Sequence, residues 1–161
     1  MQPHRTLVVL RHAKSDWPDG VPDDERPLAD RGVADAPVAG RWLAANVERI
    51  DLVVCSPAAR ARQTWDLAAA ELTTVPAVEY DEQLYGASAG DLLNLTGALP
   101  TMAGVVVLVG HNPGMSQFVT LLSGQSHELK TSAIAVLAWP GDWQDVDRGG
   151  AELTATTKPR G

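Results

Sequence analysis

Short apolar runs that do not alternate with polar residues recur along this chain of 161 residues. Such runs are typical of strands that are buried on both faces of a sheet. The run at 104–109 (GVVVLV) is the most hydrophobic of them, and the run at 6–10 (TLVVL) has the same character. The predicted strands comprise residues 6–10, 50–55, 75–80, 104–109, 134–139 and 151–156.

Capping residues and prolines between these runs predict helices. Asp30 can cap the first helix with its side chain. The pairs Ser56-Pro57 and Asn112-Pro113 each combine a capping residue with proline, the residue favoured at the first helical position. The predicted helices comprise residues 31–46, after the cap at Asp30, 57–72, 88–99 and 113–124. Pro37 either bends the first of them or moves the start of its regular part to about Asp35.

The alternation of strands and helices predicts an α/β fold with a mostly parallel central sheet, to which the late strands add an antiparallel edge. The length is ordinary for one domain, so residues 1–161 are predicted to form a single domain. The composition agrees with a globular protein, since 45% of the residues are hydrophobic and 20% are charged.

Charge and cysteine content restrict the partners and the compartment. A formal net charge of −7 argues against nucleic acid or an anionic membrane as the main partner, because both favour basic surfaces. No apolar run approaches the roughly 20 residues that span a bilayer, and residues 1–10 lack the plan of a secretory signal. Cys55 is the single cysteine, which excludes an intrachain disulfide. We therefore expect a cytoplasmic protein.

Residues that can ionise or bind anions follow three of the predicted strands. Arg11 and His12 follow the first strand, Ser56 and Arg60 follow the second, and His111 follows the fourth. The carboxyl ends of parallel strands lie along the same edge of a sheet, where open α/β folds bind ligands. We therefore expect two histidines and two arginines to meet at this edge, although they are far apart in sequence.

This group of side chains suits phosphoryl transfer. A neutral imidazole can attack phosphorus, and guanidinium groups bind phosphate oxygens bidentately and neutralise the charge that develops on them. The N-termini of the two helices that follow would add backbone donors. The sequence has no metal-ligand spacing such as His-x-x-x-His, and this chemistry requires neither a metal nor a cofactor.

Each of these features also has an ordinary structural explanation. An Arg-His pair after a strand is common, and the turn at 110–113 could simply cap a helix. Arg62 is interpreted as a solvated helix charge, and His4 and His127 as surface residues, because no motif surrounds them. The hypothesis of phosphoryl transfer therefore depends on the whole group of residues and not on one motif.

Three segments of the chain resemble the histidine phosphatase superfamily, which includes the cofactor-dependent phosphoglycerate mutases. They are LVVLRHAKSDW around His12, SPAARARQT around Arg60 and VVLVGHNPGMS around His111, in the family's order and spacing. The chain most resembles the SixA-type phosphohistidine phosphatases. It has Arg-His-Ala-Lys-Ser in place of Arg-His-Gly, the segment Glu-Arg-Pro-Leu at 25–28 and a short length. The resemblance covers nearly the whole chain.

The resemblance implies a three-layer α/β/α fold, phosphoglycerate mutase-like, and a role for each matching residue. His12 would be the nucleophile, and Arg11 and Arg60 would clamp the phosphoryl oxygens. His111 would donate a hydrogen bond to the same group from the opposite side, and Ser15 would contact phosphate. The implied activity is that of a metal-independent phosphatase, a phosphoric monoester or phosphohistidine hydrolase, that passes through phosphohistidine on His12.

The general acid that protonates the leaving group is less closely defined. Glu82 lies in DEQLYGA, which resembles the segment around the acidic residue of the mutases, although a loop glutamate can equally be solvated. Asp81 and Asp24 are the alternatives. Phosphohistidine needs such an acid less than an alkyl phosphate does, because an imidazole nitrogen leaves more easily than an alkoxide. Lys14 and Arg26 can either contact the substrate or face solvent.

Other activities share some of these features. A mutase would use the same pocket residues, but the mutases are longer. A cysteine phosphatase needs five residues between its cysteine and its arginine, whereas four separate Cys55 from Arg60. A non-catalytic module could bind a phosphorylated ligand, although binding alone needs no nucleophile. The expected partner is a phosphorylated substrate, either protein phosphohistidine or a small phosphate ester such as a metabolite, and neither nucleic acid nor a membrane.

Overall fold

Six strands form one mixed sheet in the computed structural model, which describes residues 4–146 and 148–157. In chain order they are β1 (His4–Arg11), β2 (Leu52–Cys55), β3 (Ala77–Tyr80), β4 (Val105–Gly110), β5 (Ile134–Pro140) and β6 (Glu152–Thr157). Their order across the sheet is β3-β2-β4-β1-β5-β6. The first four pair in parallel, whereas β5 pairs antiparallel with β1 and β6 antiparallel with β5. The predicted mostly parallel sheet with a late antiparallel edge is confirmed.

Helices cover both faces of this sheet. They are α1 (Asp30–Asn46), α2 (Ala59–Ala69), α3 (Ala89–Gly97) and α4 (Gly114–Ser123). Short 3-10 turns lie at Asp23–Glu25, Glu82–Leu84 and Trp143–Asp145. No helix within the described ranges is both long enough and apolar enough to cross a membrane.

Alternate residues of β1 belong to two hydrophobic cores, one on each side of the sheet. Leu7 is fully buried in the core that contains Phe118 of α4, and Val8 is fully buried in the core that contains Trp65 of α2. The first core also includes side chains of α3, and the second includes side chains of α1. This arrangement gives three layers, helices on both sides of a sheet, as the resemblance implied.

The predicted starts of α1 and α2 were wrong by one and two residues, and α1 is helical through Pro37. Asp30 is the first helical residue and not the cap, because Ala29 holds the cap position without any side-chain hydrogen bond. α2 does not begin at Pro57. The Ala58 amide donates to the Ser56 hydroxyl oxygen at 3.3 Å, which closes a turn before the helix, and the Ser-Pro pair therefore ends the strand rather than opening the helix.

The start of α4 differs in a similar way. Pro113 holds the cap position and not the first helical position. Asn112 nevertheless accepts a hydrogen bond from the Ser116 amide at 3.1 Å, so its side chain serves the first turn as predicted. The same side chain donates to the Leu129 carbonyl at 2.7 Å and ties the helix start to a loop.

Two more predicted boundaries differ from the observed ones because of backbone hydrogen bonds. α2 ends at Ala69 and not at Leu72, because the amides of Glu71 and Leu72 bond carbonyls only three residues back and tighten the last turn. β3 begins at Ala77 and not at 75, because Pro76 has no amide hydrogen to donate to a neighbouring strand.

Glycines allow two close backbone contacts that set the positions of the helices. A Cβ atom on Gly40 of α1 would lie 2.2 Å from the carbonyl oxygen of Ala68 in α2. A Cβ atom on Gly114 would lie 2.0 Å from the carbonyl oxygen of Ala87. These contacts hold α1 against α2, and they hold the N-terminus of α4 against the loop that carries Tyr85.

Candidate active site

Three strands of the parallel sheet end side by side. Arg11 pairs with Gly110 in the register of β1 and β4, and Cys55 pairs with Val109 in the register of β2 and β4. The residue after each strand therefore lies at one edge of the sheet. The rings of His12 and His111 are 5.1 Å apart there, centroid to centroid. The structure thus brings together the histidines that the sequence predicted to converge.

His12 is buried and oriented by its own backbone. Its Nδ1 lies 2.7 Å from the carbonyl oxygen of Ala13. A carbonyl oxygen can only accept, so Nδ1 carries the hydrogen and Nε2 keeps a lone pair in the neutral ring. Burial, with the positive charges of Arg60 and Arg11 nearby, lowers the pKa of His12 from 6.5 to about 3. The ring is therefore neutral and nucleophilic at neutral pH.

His111 lies opposite His12 with one ring nitrogen bonded and the other free. Its Nε2 is 2.7 Å from the hydroxyl oxygen of Ser56. Its Nδ1 is buried and has no hydrogen-bond partner among the described residues. Burial and the nearby charge of Arg60 lower the pKa of His111 to about 4. Tyr85 packs edge-on against this ring at a centroid distance of 5.6 Å.

Arg11 has donor capacity to spare. One of its terminal nitrogens donates to the carbonyl of Leu129 at 3.1 Å, and its Nε is buried without a hydrogen-bond partner in the described part of the chain. A buried donor without an acceptor is costly. A phosphoryl oxygen in this site would supply acceptors for Arg11 and for the unbonded nitrogen of His111.

Arg60 is also buried, but its guanidinium is engaged by Asp23. Its terminal nitrogens donate to the Asp23 carbonyl at 2.6 Å and to the Asp23 carboxylate at 3.0 Å. The same carboxylate accepts from Tyr85 and from Arg26. These partners, the Tyr85 hydroxyl foremost, lower the pKa of Asp23. Asp23 and Tyr85 were not predicted from the sequence. Asp23 lies outside any motif, and DEQLYGA was considered for its acidic residues and not for Tyr85.

Arg26 holds the loop that follows His12. It donates to the Ser15 hydroxyl, to the Asp16 carbonyl at 3.1 Å and to Asp23, and its guanidinium stacks 3.2 Å from the ring centre of Trp17. Ser15 is buried beneath it. Arg26 therefore organises this loop. The phosphate contact expected of Ser15 stays a prediction.

Thr64 links the backbone next to His12 to the helix that carries Arg60. Its hydroxyl is fully buried, accepts from the Ala13 amide at 2.9 Å and donates to the Arg60 carbonyl at 2.7 Å. The segment that contains Ser56, Arg60 and Thr64 thus makes two contacts near the histidines. Ser56 lies against His111, and Thr64 bonds the backbone of Ala13, the residue after His12.

The three candidate acids occupy different surroundings. Glu82 and Asp24 line a surface groove of about 350 Å³ together with Tyr85. Within the described residues, no hydrogen bond or ion pair joins Glu82 to His12 or His111, and Tyr85 stands between the groove and His111. Asp81 accepts from the Gln83 amide at 2.9 Å and caps a 3-10 turn. Glu82 as the acid stays a prediction.

Cys55 is fully buried at the end of β2, and burial raises the pKa of its thiol to about 12. The thiol donates to the Ser56 carbonyl at 3.3 Å. A thiol in this state is not a nucleophile at neutral pH. Among the residues that the structure describes, no three His, Cys, Asp or Glu side chains form a group that could hold a metal ion. Lys14 is exposed.

The chain matches the sequence model of the Histidine phosphatase superfamily (branch 1) over residues 7–99. The uncharacterized protein Rv1276c of Mycobacterium tuberculosis is 40% identical over 162 residues, which cover 94% of this chain and 100% of that protein. Two solved structures assigned as the phosphohistidine phosphatase SixA are similar. The one from Nakamurella multipartitia has a TM-score of 0.87, 32% identity and 98% coverage of each chain. The one from Agrobacterium tumefaciens has a TM-score of 0.84 and 29% identity, and covers 99% of this chain and 100% of that chain.

Proposed function

The chain belongs to the histidine phosphatase superfamily, and from this premise we propose that it hydrolyses a phosphoryl group through phosphohistidine on His12, without a metal or a cofactor. The observation that carries the proposal is the state of His12. Its Nδ1 is engaged by the Ala13 carbonyl, so the neutral ring keeps an available lone pair on Nε2. A residue that served binding alone would not need this tautomer.

The first step forms a bond between His12 Nε2 and phosphorus and breaks the bond between phosphorus and the leaving atom. Arg11 and Arg60 neutralise the charge on the phosphoryl oxygens, and His111 donates a hydrogen bond to the same group. The leaving atom takes a proton from a general acid. Water then attacks phosphorus, the bond to Nε2 breaks, and the water proton passes to the group that acted as acid. Inorganic phosphate and the neutral His12 are the products.

Protein phosphohistidine is the substrate class that we propose first. The structures from Nakamurella multipartitia and Agrobacterium tumefaciens, which cover almost the whole chain, are assigned as phosphohistidine phosphatases. Glu82 and Tyr85 are exposed, and Tyr85 also packs against the ring of His111, which suits a phosphoryl group presented on a protein surface. A small phosphorylated metabolite is the alternative substrate.

Steady-state hydrolysis with two substrates tests this function. Purified protein is assayed with p-nitrophenyl phosphate and with a phosphohistidine-bearing protein, in the presence of EDTA. We expect turnover that EDTA does not reduce and that His12→Ala abolishes, while His127→Ala, a histidine substitution outside the site, leaves it unchanged. Full activity of His12→Ala would contradict the mechanism. Phosphate binding without turnover of any phosphoryl donor would favour a non-catalytic module.

The proposed role of Glu82 has its own test. Glu82→Gln removes the acid, and we expect it to slow hydrolysis of alkyl phosphates by about a hundredfold, the lower range for general acid catalysis, and that of phosphohistidine far less. The reason is that an alkoxide needs a proton to leave and an imidazole needs it less. Glu79→Gln, an exposed glutamate on β3, is the matched control. Equal losses on both substrates would remove Glu82 as the acid.

A further inference from the structure

Ser56 directly follows β2 and lies against the ring of His111. The serine is fully buried, and its hydroxyl oxygen lies 2.7 Å from His111 Nε2. The only other hydrogen bond described for that oxygen comes from the Ala58 amide at 3.3 Å, which is a donor. The hydroxyl oxygen therefore already accepts one hydrogen bond, and its own hydrogen still needs an acceptor.

The position of one proton distinguishes two arrangements of this pair. If Nε2 of His111 carried the ring hydrogen, it would donate to Ser56, and the serine hydrogen would be buried without an acceptor among the described residues. If Ser56 donates to Nε2, the serine is satisfied, and the ring hydrogen lies on Nδ1. When Ser56 donates, only the Nδ1 hydrogen of His111 lacks a partner in the free protein. When Nε2 donates, both the serine hydrogen and the Nδ1 lone pair lack one, so donation by Ser56 is favoured.

We propose that Ser56 is a positioning residue that fixes His111 in the tautomer with hydrogen on Nδ1. The unbonded, buried Nδ1 is then a hydrogen-bond donor. For its effect on catalysis the inference rests on the proposed function, in which a phosphoryl oxygen is the missing acceptor. A neutral histidine can then stabilise the transferring group, which agrees with the pKa of His111 of about 4, since no imidazolium is required.

The tautomer can be read directly in the free protein. Nitrogen-15 NMR of protein labelled at its histidine rings distinguishes a protonated from an unprotonated ring nitrogen, and His111→Gln assigns the signals. We expect His111 in the wild type to carry hydrogen on Nδ1 and to lose this preference in Ser56→Ala. Ser56→Thr, which keeps the hydroxyl, should restore it. Ser123→Ala is the matched control, because this buried serine donates to the Val119 carbonyl outside the site.

Steady-state kinetics give a second test of the role of Ser56. In Ser56→Ala we expect kcat to fall by about a hundredfold, the loss typical of one transition-state donor, with a smaller change in KM. A wild-type spectrum with hydrogen on Nε2 would overturn the proposal, and this result needs no variant to fold. An unchanged tautomer in folded Ser56→Ala would overturn it as well. A tautomer that depends on Ser56 in a protein without phosphatase activity would instead contradict the proposed function and leave the positioning role standing.

Discussion

His12 and His111 are both buried enough to hold their pKa values far below the ordinary value of 6.5, at about 3 and about 4. Burial is the main cause, because it disfavours the charged ring, and the neighbouring arginines add to it. The result is a pair of neutral rings with different hydrogen bonds. His12 keeps a lone pair on Nε2, and His111 has a buried Nδ1 without a hydrogen-bond partner among the described residues.

These lowered pKa values predict a loss of stability in mild acid. Between pH 6.5 and pH 4 the unfolded chain binds protons on His12 that the folded chain does not. The contribution of the neutral His12 to the free energy of unfolding is therefore fully present above pH 6.5 and is lost as the pH falls. The slope from His12 is up to about 1.4 kcal/mol per pH unit. Denaturant unfolding at several pH values measures this slope.

His12→Asn is the matched comparison for that slope. The variant keeps a polar side chain and removes the titrating ring, so its free energy of unfolding should decline less steeply than that of the wild type over the same range. Subtraction of the two curves cancels the contribution of the carboxylates. Parallel curves would contradict the buried, neutral state of His12.

The position of a single residue was predictable from the sequence where a motif lies at the end of a predicted strand. His12, Ser56 and His111 each follow a hydrophobic run, so the sheet alone brings them to one edge. The contact of Arg60 with Asp23 could not be predicted in this way. It depends on the path of the loop at 16–26, whose Gly, Pro and Asp residues permit many conformations and carry no periodic pattern.

At the scale of elements, α1 and α2 cover one face of the sheet and contact each other through the backbone at Gly40. This contact leaves no room for a side chain, because Cβ would lie 2.2 Å from a carbonyl oxygen of the facing helix. α2 carries Arg60 and Thr64, so the contact also helps to position Arg60 beside His12 and His111.

Gly40→Ala should destabilise the protein although alanine favours helices. We expect a loss of about 1–3 kcal/mol in the free energy of unfolding, the range for overpacking, because the facing atom belongs to rigid backbone. Thermal or denaturant unfolding measures it. Gly90→Ala in α3 is the control, since its Cβ would meet nothing closer than 3.8 Å and the change should stabilise by up to about 1 kcal/mol. Equal effects at both positions would contradict the close contact.

The elements themselves were largely predictable, and their boundaries less so. Each of the six predicted strands corresponds to a strand of the described sheet, because continuous apolar runs have few alternatives once two helical layers cover them. Helix starts were harder to predict. A Ser-Pro or Asn-Pro pair fits either a helix cap or a preceding turn, and the hydrogen bond from the Ala58 amide to Ser56 decides for the turn.

At the scale of the whole molecule, the loop at 16–26 brings Asp23 to Arg60 and Tyr85, beside the edge of the sheet where His12 and His111 lie. Asp23 in this loop holds Arg60 through both its carbonyl and its carboxylate, and Arg26 and Tyr85 hold Asp23. An incoming phosphoryl group must share Arg60 with this carboxylate or displace it. We therefore expect the loop to weaken anion binding in a protein whose net charge is already −7.

Asp23→Asn should bind anions more tightly. The substitution keeps the size of the side chain and removes its charge, and we expect vanadate to inhibit about two- to fivefold more strongly, since the half-exposed ion pair is worth less than about 1 kcal/mol. Inhibition constants at low ionic strength measure this change. Asp19→Asn, in the same loop, controls for net charge alone. Equal gains in both variants would contradict a specific competition at Arg60.

The most direct test of the central claim is to find the phosphorylated atom during turnover. Protein mixed with a phosphoryl donor is quenched within the first turnover under alkaline conditions, which preserve phosphohistidine, and the digest is analysed by mass spectrometry. The proposed mechanism predicts one added phosphoryl group on the peptide that contains His12, and none in His12→Ala. Phosphorylation of another residue, or rapid turnover without any phosphorylated protein, would contradict His12 as the nucleophile.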